Sequence, residues 1–120
     1  MRTIFTLLVF LFMGAFAFGQ TDTVHYTSDC ERAYHNEVYN FRLKDNTFFA
    51  DGMAEGNCCG QNGLAYTVID SLIRISKVHE GDYCYCLCLY SFDFSIENCT
   101  LPCYRVIVEG SNVDTVICDR

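Results

Sequence analysis

The chain has 120 residues, 51% of them hydrophobic and 19% charged, with a net charge of −7. An acidic chain without a run of lysine or arginine excludes the electrostatic footprint of nucleic-acid binding and of adhesion to an anionic bilayer surface. The length fits one domain with a modest core, the size at which covalent staples help.

Residues 1–19, MRTIFTLLVFLFMGAFAFG, read as a cleaved signal peptide. Arg2 supplies the positive n-region, and Ile4 to Phe12 is apolar except for Thr6. AFAFG then offers small residues for cleavage after Gly19 or Ala17. The apolar stretch is shorter than the ~20 residues of a spanning helix. No membrane span is expected after cleavage.

All nine cysteines follow this segment: Cys30, Cys58, Cys59, Cys84, Cys86, Cys88, Cys99, Cys103 and Cys118. Such density marks a disulfide scaffold in an oxidising compartment, here secreted or periplasmic. An odd count leaves one thiol to stay free or to link a dimer.

Residues 20–35 carry no periodicity and read as an extended N-terminal arm tied down at Cys30. A single β-sandwich domain is expected over 36–120. EVYNFRL (37–43) and TFFADGMA (47–54) form a first hairpin around Asp45-Asn46. EGNCCGQNG (55–63) is a loop. LAYTVI (64–69) and LIRISKVH (72–79) form a second hairpin around Asp70-Ser71. Gly81-Asp82 is a further hairpin signal, leading into a strand over 83–97. CYRVIVE (103–109) and NVDTVIC (112–118) form a third hairpin. Gly110-Ser111 is its turn, with glycine first as type II′ prefers. Eight short strands of this kind predict an all-β, disulfide-linked β-sandwich.

The CYCLC stretch, residues 84–88, poses the functional question. On a strand Cys84, Cys86 and Cys88 share one face with Tyr90, Phe92, Phe94 and Ile96. A turn at Gly81-Asp82 would set Cys88 opposite Ile75 and Tyr90 opposite Ile73. Alternate residues on a strand stand ~6.6–6.8 Å apart, too far for three thiolates to converge on one ion from that strand alone. Two could do so with Cys58 or Cys59. Thioredoxin-like chemistry needs C-x-x-C at a helix N-terminus, and neither is present.

Disulfides are therefore the expected use of the thiols. Adjacent Cys58 and Cys59 lie too close to bridge each other, so each should reach a member of the 84/86/88 set. The Gly110-Ser111 turn would oppose Cys103 and Cys118, which predicts a bridge there. The alternative is a thiolate site for copper or zinc built from Cys58, Cys59, Cys84, Cys86 and Cys88.

Two resemblances bear on these residues. TLPCYRVIV, with Leu101, Pro102 and Tyr104 ahead of an alternating strand, resembles the corner entering the sixth strand of immunoglobulin-like sandwiches. That implies a tyrosine hydroxyl bonded back to the nearby backbone. Asn57, Cys58 and Cys59, followed by the C-x-C-x-C strand and Asp93, Phe94, Ser95 and Ile96, resemble uncharacterised small secreted bacterial cysteine-rich β-proteins. That likeness implies a β-fold and no known activity.

Tyr83, Tyr85, Leu87 and Leu89 would form an apolar row opposite the cysteines, a candidate face for a partner protein, a surface ligand or a second copy. His79, Glu80 and Asp82 gather near a turn and read as solvated. With no nucleophile, acid and base in a catalytic pattern and no cofactor motif, the chain is expected to be a non-catalytic binding or structural module stapled by about four disulfides.

Overall fold

The computed structural model describes residues 20–28, 30 and 36–120. The signal-peptide segment, 1–19, lies outside them. The described residues form eight strands: β1 (Gln20–His25), β2 (Val38–Lys44), β3 (Thr47–Asn57), β4 (Gln61–Ile69), β5 (Leu72–Glu80), β6 (Leu87–Ile96), β7 (Cys103–Val108) and β8 (Asp114–Cys118). They pack as a five-stranded sheet, β1-β4-β5-β7-β8, over a three-stranded sheet, β2-β3-β6.

Local chemistry explains two hairpins. Asp45 and Asn46 both take positive φ, 51° and 58°, the type I′ geometry that matches strand twist and that short polar side chains tolerate. The β2–β3 ladder closes on it with Lys44 opposite Thr47. Asp70, with φ 52°, turns β4 into β5, where Ile69 faces Leu72. Midway along β3, Gly52 is sterically required, because a Cβ there would lie 1.8 Å from the Val38 carbonyl oxygen.

In the third hairpin Cys103 opposes Cys118 and Ile107 opposes Asp114, the expected register. The turn differs from expectation: the Ser111 N–H donates to the Val108 carbonyl, so Gly110, at φ 74°, is the second of its two central residues rather than the first. The Tyr104 hydroxyl accepts from the Leu101 N–H at 3.2 Å, a tyrosine bonded to backbone at the corner before β7. The likeness to immunoglobulin domains stops at that corner, since β5 and β7 run parallel, Leu72 beside Arg105 through Ile75 beside Val108.

Apolar alternation builds the core. Phe48, Ala50, Ala54, Phe92, Phe94 and Ile96 face inward from the small sheet. Leu64, Ile73, Ile75, Tyr104, Val106 and Val108 face them from the large one. Tyr66 stacks on Phe94 across the interface with centroids 5.4 Å apart.

Three expectations need correction. The stretch 20–25, read as part of an extended arm outside the sandwich domain, is edge strand β1, antiparallel to β4. Gly81-Asp82 closes no hairpin, because β5 and β6 belong to different sheets. Cys88 therefore lies opposite Gly56 and Tyr90 opposite Ala54, both on β3, not opposite Ile75 and Ile73. The strand expected over 83–97 begins only at Leu87. Residues 81–86 cross from one sheet to the other, and an irregular path leaves Cys84 and Cys86 free to turn toward the β3–β4 loop.

Candidate functional site

The crossing segment meets the short loop 58–60 between β3 and β4. Cys58 is bridged to Cys86 and Cys59 to Cys84, so the adjacent pair reaches out separately to the set facing it. The Cys58 N–H donates to the Cys86 carbonyl at 3.0 Å. Cys30 is bridged to Cys88, a partner that spacing alone did not single out. Cys103 is bridged to Cys118, with Cα atoms 4.0 Å apart.

Asn57 organises this end, although only its place in the NCC motif marks it in the sequence. Its Oδ1 accepts from the N–H groups of Cys59 at 2.9 Å and Cys84 at 3.0 Å. Its Nδ2 donates to the Cys84 carbonyl at 2.7 Å. Asn62 embraces the Asn57 backbone in turn, accepting from its N–H at 3.1 Å and donating to its carbonyl at 2.7 Å. The Tyr90 hydroxyl donates to the same carbonyl at 2.9 Å. Side-chain amides thus do what a ladder does elsewhere and satisfy backbone groups that have no strand opposite them.

His79 is not the solvated turn residue expected. Its Nδ1 meets Asn62 Oδ1 at 2.9 Å, its Nε2 meets the carbonyls of Gly81 and Asp82, and its ring stacks on Tyr83 at 3.9 Å. Nε2 thus holds the crossing segment while Nδ1 ties the ring to Asn62 of β4. Nearby, Tyr26 stacks on Tyr90 at 4.8 Å. Burial, then the Glu37 charge, pushes the Tyr26 hydroxyl far up. Tyr39 is raised likewise by burial and by donating to Glu37. Both phenols stay protonated near neutrality.

The sulfurs of Cys30, Cys58 and Cys88 lie within 4.8 Å of one another. This cluster differs from the metal set drawn from sequence: it adds Cys30 and excludes Cys59, Cys84 and Cys86. All three sulfurs are in disulfides, and only reduced thiolates ligate metal.

Cys99 is the odd cysteine. It is 2% exposed and packed in the core, where burial pushes its thiol up. A dimer linked through Cys99 would need that sulfur to leave the core.

The expected apolar row is split. Tyr83 is 74% exposed, Tyr85 is fully exposed and Leu87 is 66% exposed, whereas Leu89 is buried at 4%. Leu89 opposes Glu55 inside the β3–β6 ladder, while Tyr83 and Tyr85 precede the strand. Three apolar side chains therefore project from a segment clamped by two disulfides.

No family model, curated protein or solved structure matches this chain. Multiple disulfides are the mark of an oxidising, extracytoplasmic location. Among the described residues no helix is long and apolar enough to cross a membrane.

Proposed function

We propose that this is an exported, non-catalytic binding module, secreted or periplasmic, that presents Tyr83, Tyr85 and Leu87 to a partner protein. The observation that supports it is the exposure of these three side chains on a segment fixed at Cys84 and Cys86. Large apolar groups held rigid lose little conformational entropy on binding, and aromatic anchors dominate interface energetics. The polar groups around them, Asn57, Asn62 and His79, are committed to the fold.

Two measurements test this reading. The exported protein should have an intact mass starting near residue 20 and eight hydrogens below the fully reduced value, two for each of four bridges. Without reductant it should take no alkylating reagent when native and one equivalent, at Cys99, when unfolded. A photocrosslinking amino acid placed at Tyr85 in the native host should give a discrete adduct that Leu87→Ser weakens. A lone uncrosslinked band would count against the face.

A second reading rests on the sulfur cluster. Reduction of Cys30–Cys88 and Cys58–Cys86 by a dithiol would leave Cys30, Cys58 and Cys88 converged on a site suited to copper(I) or zinc. Titrating the dithiol-reduced protein with zinc, against a Cys30→Ser, Cys58→Ser variant, tests it: equal uptake by the two would exclude the cluster.

A further inference from the structure

On the side of the sandwich away from β1, the edge strand of the large sheet, β8, lies against the edge strand of the small one, β2. Between them runs a groove of about 380 Å³ whose lining includes Phe41, Arg42, Leu43, Lys44, Ile117 and Arg120. Two observations point to what fits it.

The first is charge. The described residues hold six lysines and arginines. Three are ion-paired: Arg74 with Glu109, Lys77 with Glu37, and Arg105 with Asp114. The other three, Arg42, Lys44 and Arg120, have no ion pair among the described residues, and all three line this groove. In a chain of net charge −7, every unpaired cation so described belongs to the lining of one cleft. Arg42 is further held over the Phe49 ring at 4.8 Å.

The second is the backbone. The Asp119 N–H donates to the Pro102 carbonyl and Val113 accepts from Val108. Odd-numbered residues of β8 therefore bond to β7, and by alternation the amide groups of Asp114, Val116 and Cys118 point away from it. The 4.0 Å Cα separation of Cys103 and Cys118 is the close spacing of a non-hydrogen-bonded pair and agrees. On β2, the two-residue turn makes Lys44 and Thr47 a hydrogen-bonded pair, which leaves the amides of Phe41 and Leu43 pointing outward. No backbone hydrogen bond joins β2 to β8 among the described residues. Both walls thus offer unpaired strand edges.

We propose that this groove binds an extended acidic peptide segment of another protein, which adds to the edge of β8 as a strand. Backbone pairing gives the affinity and alternate side chains the selectivity: apolar ones meet Phe41, Leu43 and Ile117, and carboxylates meet Arg42, Lys44 and Arg120. The span of Phe41 to Lys44 fits about four extended residues at about 3.3 Å each. Acyl chains have no use for the strand-edge amides, and an inorganic anion could accept from their N–H groups but would leave their carbonyls without a donor. The site is distinct from the Tyr83–Leu87 face and does not depend on it.

The probe is a capped, fluorescently labelled heptapeptide alternating glutamate and valine, measured by anisotropy against the intact disulfide-bonded protein. Saturable, salt-sensitive binding is expected, with no binding of the lysine–valine counterpart. Arg42→Glu with Lys44→Glu should weaken it by roughly tenfold or more. Val116→Pro, which removes an outward N–H but no β7 hydrogen bond, should abolish binding while leaving the melting temperature within a few degrees. Methylating alternate peptide amides should do the same from the ligand side.

Several results would overturn the proposal. One is equal binding of acidic and basic probes, or of methylated and unmethylated ones. Another is preference for anionic vesicles over the acidic peptide. A third is a concentration-dependent dimer, seen by sedimentation and lost in the Arg42→Glu, Lys44→Glu variant, which would assign the groove to a second copy. The last is no binding together with new aggregation of that variant, which would make the cations guards of exposed strand edges.

Discussion

The two long sides of this sandwich are closed in different ways. On one side β1 of the large sheet neighbours β6 of the small sheet, and the chain leaving β1 seals the gap. Thr27 donates its N–H to the Ser91 carbonyl at 2.9 Å, the Ser91 N–H donates to Ser28 Oγ at 2.8 Å, and Cys30 is bridged to Cys88. On the other side β8 neighbours β2 with no backbone bond between them among the described residues, and the gap stays open and cationic. A small domain cannot hydrogen-bond every strand edge, and edges left free attract partners. Here one pair of edges is sealed by the chain itself and the other is available.

The largest expected effect comes from opening the sealed side. Replacing Cys30 and Cys88 together by serine removes a bridge across 58 residues, which chain entropy values at about 4 kcal/mol. Denaturant unfolding without reductant checks the size, and faster hydrogen exchange at Ser91 shows where the structure gives way. If Ser91 stayed protected, the backbone bonds alone would suffice to seal that side.

On the open side, serine at both Cys103 and Cys118 removes a bridge spanning 15 residues, worth about 3 kcal/mol. The exchange signature should differ: β8 frays while Ser91 is unaffected. The comparison with the first variant asks whether the two sides are energetically independent, since changes at separate sites add.

Asn57→Ala should come next. It strips hydrogen bonds from the N–H groups of Cys59 and Cys84 and from the Cys84 carbonyl, at a cost of about 2 kcal/mol for partly buried groups. The Cys59–Cys84 bridge should then be reduced first when a dithiol is titrated in. An unchanged order of reduction would mean the bridges, not the amide, hold that loop.

The smallest effect belongs to pH. Asp114, beside the open groove, is held below the usual carboxylate range by its hydrogen bond from Arg105 and then by that residue's charge. A depressed folded-state value means the pair stabilises the fold above the ordinary carboxylate pKa, and the benefit fades as pH falls through the folded value. Both groups are solvent-exposed, so salt screens the effect. Acid melts of the protein and of Asp114→Asn should converge at low pH and separate slightly above it.

Local rules made much of this fold legible. Asp45-Asn46 and Asp70-Ser71 mark tight turns because the short polar side chains of Asp45, Asn46 and Asp70 accept positive φ there. The Cys103–Cys118 pairing follows from hairpin register. The partners of Cys58 and Cys59 follow from the impossibility of bridging neighbours. Gly81-Asp82 carries an equally good local signal, yet β5 takes β7 as its neighbour and β6 goes to β3. That choice is made by contacts distant in sequence, which turn chemistry does not encode.

The burial of Leu89 and the Cys30–Cys88 bridge were hidden for the same reason. The candidate site was half legible: its cysteines and exposed tyrosines stand out, whereas Asn57, Asn62 and His79, near the ends of β3, β4 and β5, carry no signal until the crossing segment lies over them. The groove was not legible at all, since Arg42, Lys44 and Arg120 form no motif and meet only when the two sheets stack.

Cys99 bears on how the chain reaches this state. Nine reduced thiols can form four bridges in roughly a thousand ways, and eight in roughly a hundred. The one sulfur without a disulfide partner, Cys99, lies inside the core cluster, whereas Cys88, equally buried, is bridged to Cys30. If the apolar strands collapse before oxidation, the supernumerary thiol is withdrawn from competition, and the oxidising machinery meets an even set already sorted by geometry. Parity is then enforced by packing, and a Cys99→Ala chain should oxidise to the same four bridges with fewer scrambled isomers when collapse is slowed by denaturant.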